Sequence, residues 1–530
     1  MSEPADSPKI FKPTSTAAGG KIMIASQMLS RVLGIIRELI MNWKFGQNAF
    51  TDAYRIAFQI PDLLFFLVAG GALSSAFIPV FSEYLHTDRE EEAWKVFSSV
   101  VTIMSVIVLS FIILAYVFAV PLAQMLAPGK QEDLIPLIAH MSRILLPAQF
   151  AFFVGGLLMG TLYARSVMAV PGLSPNIYNM GIIFGALVLS SFFFPGVIGM
   201  TWGALIGAIL GSFVVPLFAV RKFGAKFRIS FDTKHPGVRK VFRLMAPVVF
   251  GLSLPSVFPM IMQYFATYYA EGTNSAYANA NQMMQAPLGV FGQALALAAF
   301  PALSKYFAQN DWDRFQDQLM KTIRQVLYFS VPVALLMIVG AQPIIEVLFQ
   351  SGKFRAEDTE RTAACLTMFA VGIPAWCLQP VLMRAFFSVQ KTLTPVIIGT
   401  ITTVVFLGVC AAIRSMGLPY TFLPLAGSIV AYGFVGALLV ATNKIGQGID
   451  IGAILSCLLK ATVASLLPAG LFWGVSQIGM GHPHVGMKVL LLAALLILTC
   501  IYGWLYYFTT VKLGMPEAAY VRRATQKKQA

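Results

Sequence analysis

Long apolar stretches separated by short polar ones recur from residue 21 to about residue 510 of the chain. Each stretch is about as long as a helix needs to be to cross the hydrocarbon core of a bilayer, roughly 20 residues. The pattern predicts an all-α membrane protein with about fourteen transmembrane helices. The predicted spans are residues 21–45, 53–84, 95–119, 134–164, 175–194, 197–220, 240–268, 276–305, 320–340, 362–388, 392–413, 420–443, 452–476 and 487–510.

Composition agrees with this pattern. Of 530 residues, 57% are hydrophobic and 12% are charged, and the mean hydropathy is +0.74. A soluble domain carries about 25% charged residues, so a water-soluble enzyme is excluded. The net charge of +15 is concentrated in the tails and in the loops after even-numbered spans, as in cytoplasmic loops of inner-membrane proteins. We therefore predict cytoplasmic termini and no nucleic-acid partner.

The domain organisation follows from a basic loop at the middle of the chain and from an internal repeat. Residues of the two halves match at an offset of about 222 residues, which predicts two six-helix lobes related by a parallel pseudo-two-fold repeat. The matches are Pro79, Ser82, Tyr84, Pro121 and Leu126 with Pro301, Ser304, Tyr306, Pro343 and Leu348. The predicted regions are a disordered cytoplasmic tail without a signal peptide (1–20), an N-lobe (21–220), a basic cytoplasmic linker (221–239), a C-lobe (240–443), a C-terminal helix pair (444–511) and a cytoplasmic tail (512–530).

Charged residues inside the first span are the strongest functional signal. Arg31, Arg37 and Glu38 lie where an ionisable group costs at least about 2.5 kcal/mol unless it faces a partner or water. One interpretation is an Arg31–Glu38 ion pair on one helix face, with Arg37 pointing about 120° away unless the helix unwinds at Gly34. The other is that the arginines line a wet cavity and bind an anionic group, for which a guanidinium is well suited.

The second and eighth spans supply the remaining candidates. Asp52 and Arg55 are three residues apart, as in a salt bridge at the entrance of a helix. Polar Gln282 and Gln285 precede a proline in the eighth span and are candidates for substrate contacts; hydrogen bonding between helices is the alternative. Residues that interrupt helices are candidate hinges, namely Gly34, Pro61, Gly70, Gly71 and Pro287.

The sequence gives no sign of catalysis. It has no GxSxG, Walker A or HExxH motif, and its five cysteines are not spaced as metal ligands. We predict a protein that is not an enzyme and has neither a cofactor nor a metal site.

Three segments carry a resemblance to a known family. SRVLGIIRE (residues 30–38), TDA (51–53) and GALSSAFIPVFSEY (71–84) are similar to the MurJ (MviN) family, and QAPLGVFGQALALAAFPALSKY (285–306) resembles its second-lobe segment. The resemblance implies membership of the larger group that includes MATE exporters. It also implies fourteen helices, the last two forming a groove for a lipid tail, and the flipping of lipid II across the bacterial inner membrane.

The resemblance also implies roles for individual residues. Arg31 and Arg37 match two family arginines that line the central cavity, and Glu38 and Asp52 match family acidic positions. The sequence departs from the family at Phe65 and Gln282, where many members have arginine, and at Gly70, where an acidic residue is common.

The resulting hypothesis is a lipid II flippase that works by alternating access of a cationic cavity, with membrane lipids and cell-wall synthesis proteins as further partners. The alternatives are a MATE-like exporter of drugs or cations, a flippase for another polyprenyl-pyrophosphate oligosaccharide, a membrane-embedded glycosyltransferase, and a scaffold without transport activity. Deep arginines disfavour a cation exporter, because that function calls for acidic residues in the cavity.

Overall fold

The structure is a computed structural model that describes residues 16–68, 72–130, 132–253, 257–443, 448–478 and 485–519. Every regular element within these ranges is a helix. The all-α fold that the apolar pattern predicts is therefore confirmed. The residues group into two compact units, Met1–Met260 with Ala270–Asn274 and Ile261–Tyr269 with Ser275–Ala530. The predicted domain boundaries, including the linker 221–239, stay a prediction.

The first unit is built around one long helix, α7, which packs against α4, α5, α6 and α9 and is largely buried. The helices of this unit are α1 Thr16–Phe45, α2 Ala49–Ala57, α3 Gln59–Val68, α4 Ala72–His86, α5 Glu90–Val117, α6 Ala119–Leu126, α7 Leu134–Ala164, α8 Ala169–Leu187, α9 Val197–Ala208, α10 Val215–Lys222 and α11 Pro236–Ser253. A π-helical turn, Ile209–Val214, joins α9 to α10.

The second predicted span, 53–84, is divided in the structure: α2 ends at Ala57 and α3 begins at Gln59, two residues before the predicted interruption at Pro61. α2 begins at Ala49, four residues before the predicted start of the span, because Asn48 caps it. The Asn48 side chain accepts hydrogen bonds from the backbone N–H of Phe50 and Thr51 at 3.0 and 3.1 Å. The chain breaks at Phe58, and Pro61 lies in the first turn of α3.

Pro61 accounts for part of this break. Proline has no N–H, so the carbonyl of Ala57, four residues earlier, loses its helical donor. The Ser142 hydroxyl on α7 donates to that carbonyl at 2.9 Å. A neighbouring helix thus satisfies the freed backbone group, as is needed in a membrane.

The second unit contains α14 to α22, and α12 and α13 contribute residues to both units. Its helices are α12 Val257–Ala266, α13 Thr273–Pro287, α14 Ala294–Ala308, α15 Trp312–Val339, α16 Ala341–Phe349, α17 Ala356–Val371, α18 Ile373–Ser388, α19 Leu393–Ser415, α20 Phe422–Asn443, α21 Ile451–Ile478 and α22 Val485–Lys512.

The C-terminal helix α22 docks on α15 by the same device as at Pro61. Pro332 interrupts the hydrogen bonding of α15 and frees the carbonyl of Tyr328. The Tyr506 hydroxyl of α22 donates to this carbonyl at 2.7 Å. A second tyrosine, Tyr502, donates to the carbonyl of Pro332 itself at 2.7 Å. Proline in one helix therefore creates the docking site for another.

The internal repeat is visible in the helix boundaries. α4 ends at His86 and α14 at Ala308, and α5 begins at Glu90 and α15 at Trp312. Both pairs are separated by 222 residues, the offset of the matched Pro, Ser and Tyr residues. The repeated pattern of sequence thus corresponds to a repeated pattern of helices.

Nine helices of the described ranges are long and apolar enough to cross a membrane, or ten if the α17–α18 pair, bent by 46°, is counted as one span. The number fourteen stays a prediction. Among the candidate hinges, Gly34 lies in uninterrupted α1, and Pro287 ends α13 where a π-helical turn, Leu288–Gln293, begins. Gly70 and Gly71 lie outside the described residues.

Close contact between α8 and α9 depends on glycine. A Cβ atom built on Gly203 would lie 2.3 Å from the carbonyl oxygen of Gly181, and one on Gly181 would lie 2.5 Å from the Cα of Gly207. Small residues allow membrane helices to pack backbone against backbone.

We predict that Gly203→Ala destabilises the protein, because the added methyl meets backbone that cannot rotate away. The expected loss is about 1–3 kcal/mol of stability, measured as a lower melting temperature in detergent. Gly408→Ala is the matched control, because no atom lies within 4 Å of its added Cβ. Equal melting temperatures for the two variants would contradict this account of α8–α9 packing.

Candidate functional site

A buried charge cluster lies where α1, α2 and α8 meet in the first unit. Glu38 of α1 is 2% exposed, although a carboxylate in an apolar bundle is costly unless it is paired. Its partners are Arg37 of the same helix and Arg55 of α2.

Both arginines bind the same carboxylate. Arg37 Nη2 donates to Glu38 Oε1 at 2.8 Å. Arg55 Nη1 donates to Glu38 Oε1 at 3.3 Å, and its Nη2 donates to Oε2. Arg55 thus uses its planar fork on both carboxylate oxygens, the geometry in which arginine binds carboxylates well.

Asn179 of α8 orients Arg37. Its Oδ1 accepts from Arg37 Nη1 at 3.0 Å. Its Nδ2 donates to the Ser30 hydroxyl at 3.2 Å and to the carbonyl of Pro175 at 3.1 Å. The amide therefore connects α1 to α8 and fixes one edge of the guanidinium.

The cluster has a surplus positive charge. Two guanidinium groups face one carboxylate, so Arg37, Arg55 and Glu38 together carry a formal charge of +1. Arg37 uses three of its five N–H groups on Glu38 and Asn179, and its side chain is 24% exposed. The cluster can therefore bind an anion at the exposed edge of Arg37 without losing its internal hydrogen bonds.

Of the two interpretations of the first span, the Arg31–Glu38 ion pair was wrong. Arg31 is exposed and has no ion pair or hydrogen bond to any residue that the structure describes. Seven residues of helix separate the two Cα atoms by about 10 Å along the axis, and side chains on one helix pair well at spacings of three or four. The expectation that Arg37 points away from Glu38 was also wrong, because the long side chain of Arg37 bends back to it in continuous helix.

The predicted pairing of Asp52 with Arg55 is replaced by other contacts. Asp52 is fully buried, and its Oδ2 accepts from Lys130 Nζ at 2.7 Å and from the backbone N–H of Gly272 at 2.9 Å. Lys130 is 4% exposed at its side chain. Asp52 and Lys130 therefore form a separate buried ion pair in the first unit.

Gln282 and Gln285 belong to the second unit. Both lie on α13, where Gln282 is half-buried and Gln285 is exposed. Their proposed contact with substrate stays a prediction. The side chain of Phe65, where the family often has arginine, lies outside the described side chains.

Sequence reasoning missed Asn179 and Lys130. Asn179 follows Asn176 by three residues in an otherwise apolar segment, a spacing that places both on one helix face. That pattern could have indicated a polar contact with the charged first helix. Lys130 lies in a loop, so its partner depends on tertiary structure.

The second unit has an apolar groove of about 480 Å³. It lies between α16, α21 and α22, and its polar lining residues are Glu346 and Ser476. The lining residues are Pro343, Glu346, Val347, Val475, Ser476, Leu491, Ala494, Leu495, Ile497, Leu498 and Ile501. Such a lining fits a hydrocarbon chain.

In the part of the chain that is described, no group of three or more His, Cys, Asp and Glu side chains could hold a metal ion.

The Asp52–Lys130 pair gives a stability prediction. Lys130→Met leaves a buried carboxylate without its cation and should cost about 3 kcal/mol or more. Adding Asp52→Asn should recover part of the lost melting temperature, because the remaining group is then neutral. Lys321→Met is the control, since Lys321 and Asp317 form an exposed pair worth little. A Lys130→Met variant as stable as Lys321→Met would disprove this assignment.

Comparison with known proteins identifies relatives over most of the chain. The family profile described as lipid II flippase MurJ matches residues 41–495. The lipid II flippase MurJ of Burkholderia cenocepacia is 28% identical over 492 residues, which cover 90% of this chain and 87% of the relative. A probable lipid II flippase MurJ of Bdellovibrio bacteriovorus is 27% identical over 516 residues, covering 95% and 96%.

Solved structures show the same fold. A structure titled lipid II flippase MurJ, inward closed conformation, superimposes with a TM-score of 0.76 at 23% identity and covers 93% of this chain and all of the other. An inward-facing MATE family transporter of the MOP superfamily gives a TM-score of 0.64 at 13% identity, covering 79% and 96%. The MATE likeness concerns the fold alone, whereas the family profile covers most of the sequence, and the chain therefore belongs to the MurJ family.

Proposed function

We propose that this protein flips lipid II, the polyprenyl-pyrophosphate-linked peptidoglycan precursor, from the cytoplasmic to the outer leaflet of the bacterial inner membrane. Family membership supports the substrate, because its relatives carry the name lipid II flippase. The observation that carries the mechanism is the surplus positive charge of the Glu38 cluster, with the partly exposed Arg37 at its edge. The protein is a transporter and not an enzyme, and both termini are cytoplasmic.

The cluster suits a pyrophosphate. A phosphate oxygen pair can accept two parallel hydrogen bonds from a guanidinium, and such charge-assisted bonds are about twice as strong as neutral ones. Arg37 has two N–H groups beyond those used on Glu38 and Asn179. Arg31 lies about 9 Å from Arg37 along α1, toward the N-terminus, and supplies a second cation to the same headgroup.

Glu38 and Arg55 position Arg37 in this proposal. Arg55 compensates the charge of Glu38, so the carboxylate can hold Arg37 without cancelling the positive charge of the site. Asp52 has a structural role in its pair with Lys130, while Gln282 and Gln285 contact sugar and peptide groups.

The apolar groove of the second unit binds the polyprenyl tail. The apolar lining stabilises the tail by about 0.8 kcal/mol per buried CH₂ relative to water. In the membrane, the groove guides the tail while the headgroup moves. A hydrated cationic path for the headgroup removes most of the cost of moving charge and hydroxyl groups through lipid.

Alternating access would expose the cationic site to one leaflet at a time. The helix break at Phe58 near Pro61 and the π-helical turn after Pro287 are the proposed flexible points. An exporter of cationic drugs is disfavoured, because the cluster would repel its substrate.

The arginines give the central functional prediction. The variants Arg37→Ala and Arg31→Ala should each fail to restore growth to bacteria that are depleted of their own lipid II flippase. Loss of one charge-assisted contact weakens binding by about 1.5–3 kcal/mol, or roughly tenfold or more. The measurement is colony formation at equal amounts of membrane-inserted protein.

Arg314→Ala serves as the control, since its side chain is 71% exposed and pairs with Asp311 in the first turn of α15. It should support growth like the unaltered protein. Normal growth with both Arg31→Ala and Arg37→Ala would argue against the headgroup contact, whatever the transported lipid.

The groove gives a second functional prediction. Ile497→Asn should lower the amount of lipid II that co-purifies with the protein, as counted by native mass spectrometry, because it puts an amide in the tail groove. Leu496→Asn is a close control: Ile497 is 61% exposed and Leu496 59%, but only Ile497 lines the groove. Equal lipid retention by the two variants would be evidence against tail binding there.

A further inference from the structure

The segment between α10 and α11 combines strong basic charge with exposed apolar side chains. Residues 221–243 contain eight Lys or Arg and one acidic residue, Asp232. Residues 225–232 adopt no helix or turn. The segment belongs to the first unit, and its position there is set by contacts with α5.

Hydrogen bonds hold this segment along α5. The N–H of Arg228 donates to the Ser98 hydroxyl at 3.2 Å, and the N–H of Ser230 donates to Thr102 Oγ1 at 3.3 Å. Ser98 and Thr102 are separated by about 6 Å of helix. Two residues of extended chain span about 6.6 Å. The spacing therefore shows an extended segment that runs beside the helix.

An extended chain points successive side chains in opposite directions. Ser230 faces α5, where its hydroxyl accepts from Ser99 Oγ at 2.9 Å. The odd-numbered residues point the other way: Phe227 is 53% exposed, Ile229 78% and Phe231 62%. The segment thus presents three large apolar side chains on one outer face.

The depth of this face follows from α5. The helix begins with Glu90, Glu91 and Glu92, which belong in water. Its large exposed apolar residues extend from Val106 to Val117, the part that faces lipid. Thr102, where the segment is bonded, lies one turn, about 6 Å, before Val106. The apolar face therefore lies at the boundary between headgroups and hydrocarbon.

The charges beside this face are cationic and exposed. Arg221, Arg228, Lys234 and Arg239 have exposed side chains, whereas Lys226 is engaged with Glu91 at 3.0 Å. Apolar side chains flanked by Lys and Arg bind membrane surfaces that contain anionic lipid.

We propose that residues 225–231 form an interfacial anchor, which inserts Phe227, Ile229 and Phe231 into the headgroup region of a leaflet rich in anionic phospholipid. The anchor fixes the chain between α10 and α11 to the membrane surface and to α5. This function is independent of which lipid the protein transports.

The test measures the depth of Ile229 in the full-length protein in nanodiscs that contain phosphatidylglycerol. A spin label is attached at Ile229→Cys after Cys500, the exposed cysteine, is replaced by serine. We expect the label to be more accessible to oxygen than to a water-soluble nickel complex. Reference labels are Thr233→Cys, which is expected in water, and Ile113→Cys on the lipid-facing surface of α5.

A label at Ile229 that is as accessible to nickel as the one at Thr233 would overturn the proposal. A label shielded from both reagents would also overturn it, because another protein surface would then cover the face.

The anionic preference has its own test. Replacing Arg221, Arg228 and Lys234 by glutamine should lower the retention of phosphatidylglycerol in native mass spectra by about fivefold for each removed charge. The label at Ile229 should lie nearer to water in nanodiscs of phosphatidylcholine alone. Equal depth in both lipids would overturn the preference for anionic lipid.

Discussion

The first unit depends on the need to compensate a carboxylate inside an apolar helix bundle. Glu38 is buried, and two arginines rather than one neutralise it. An isolated charge in this position would cost several kcal/mol, and a one-to-one pair would leave no charge for a ligand. The two-to-one ratio both satisfies Glu38 and leaves a guanidinium edge at Arg37 that is charged and oriented.

The helices around Glu38 bring Arg55 and Asn179 to the charge cluster. Arg55 reaches Glu38 because the chain turns after α1 and restarts as the short helix α2, which Asn48 caps. Asn179 is within reach of Arg37 because α8 packs closely on α1. The breaks that produce these short helices leave unpaired carbonyls, and hydroxyl groups of neighbouring helices satisfy them, as Ser142 does for Ala57. Irregular backbone and polar side chains therefore stabilise each other.

Periodicity and length in the sequence predicted most of the fold. The predicted span 134–164 coincides with α7, and the repeat offset reappears in the helix boundaries. The interruption of the span 53–84 at Pro61 was predicted, but the start of α2 at Ala49 was not, because hydropathy does not register a cap at Asn48. The charged residues of the site were found because they are rare in apolar segments. The partners of these residues were not predicted. Glu38 pairs with Arg55 and not with Arg31 because α2 lies beside Glu38 in the fold, and residue spacing along the chain contains no such information.

In the proposed mechanism, the surplus charge at Arg37 holds a phosphorylated lipid. The most direct test is the dissociation constant of lipid II, compared with that of the same lipid lacking its phosphates, for the protein in zwitterionic nanodiscs. The account predicts that lipid II binds at least about tenfold more tightly, and that Arg37→Gln removes the difference. Equal dissociation constants for the two lipids, or a difference that persists in Arg37→Gln, would contradict it.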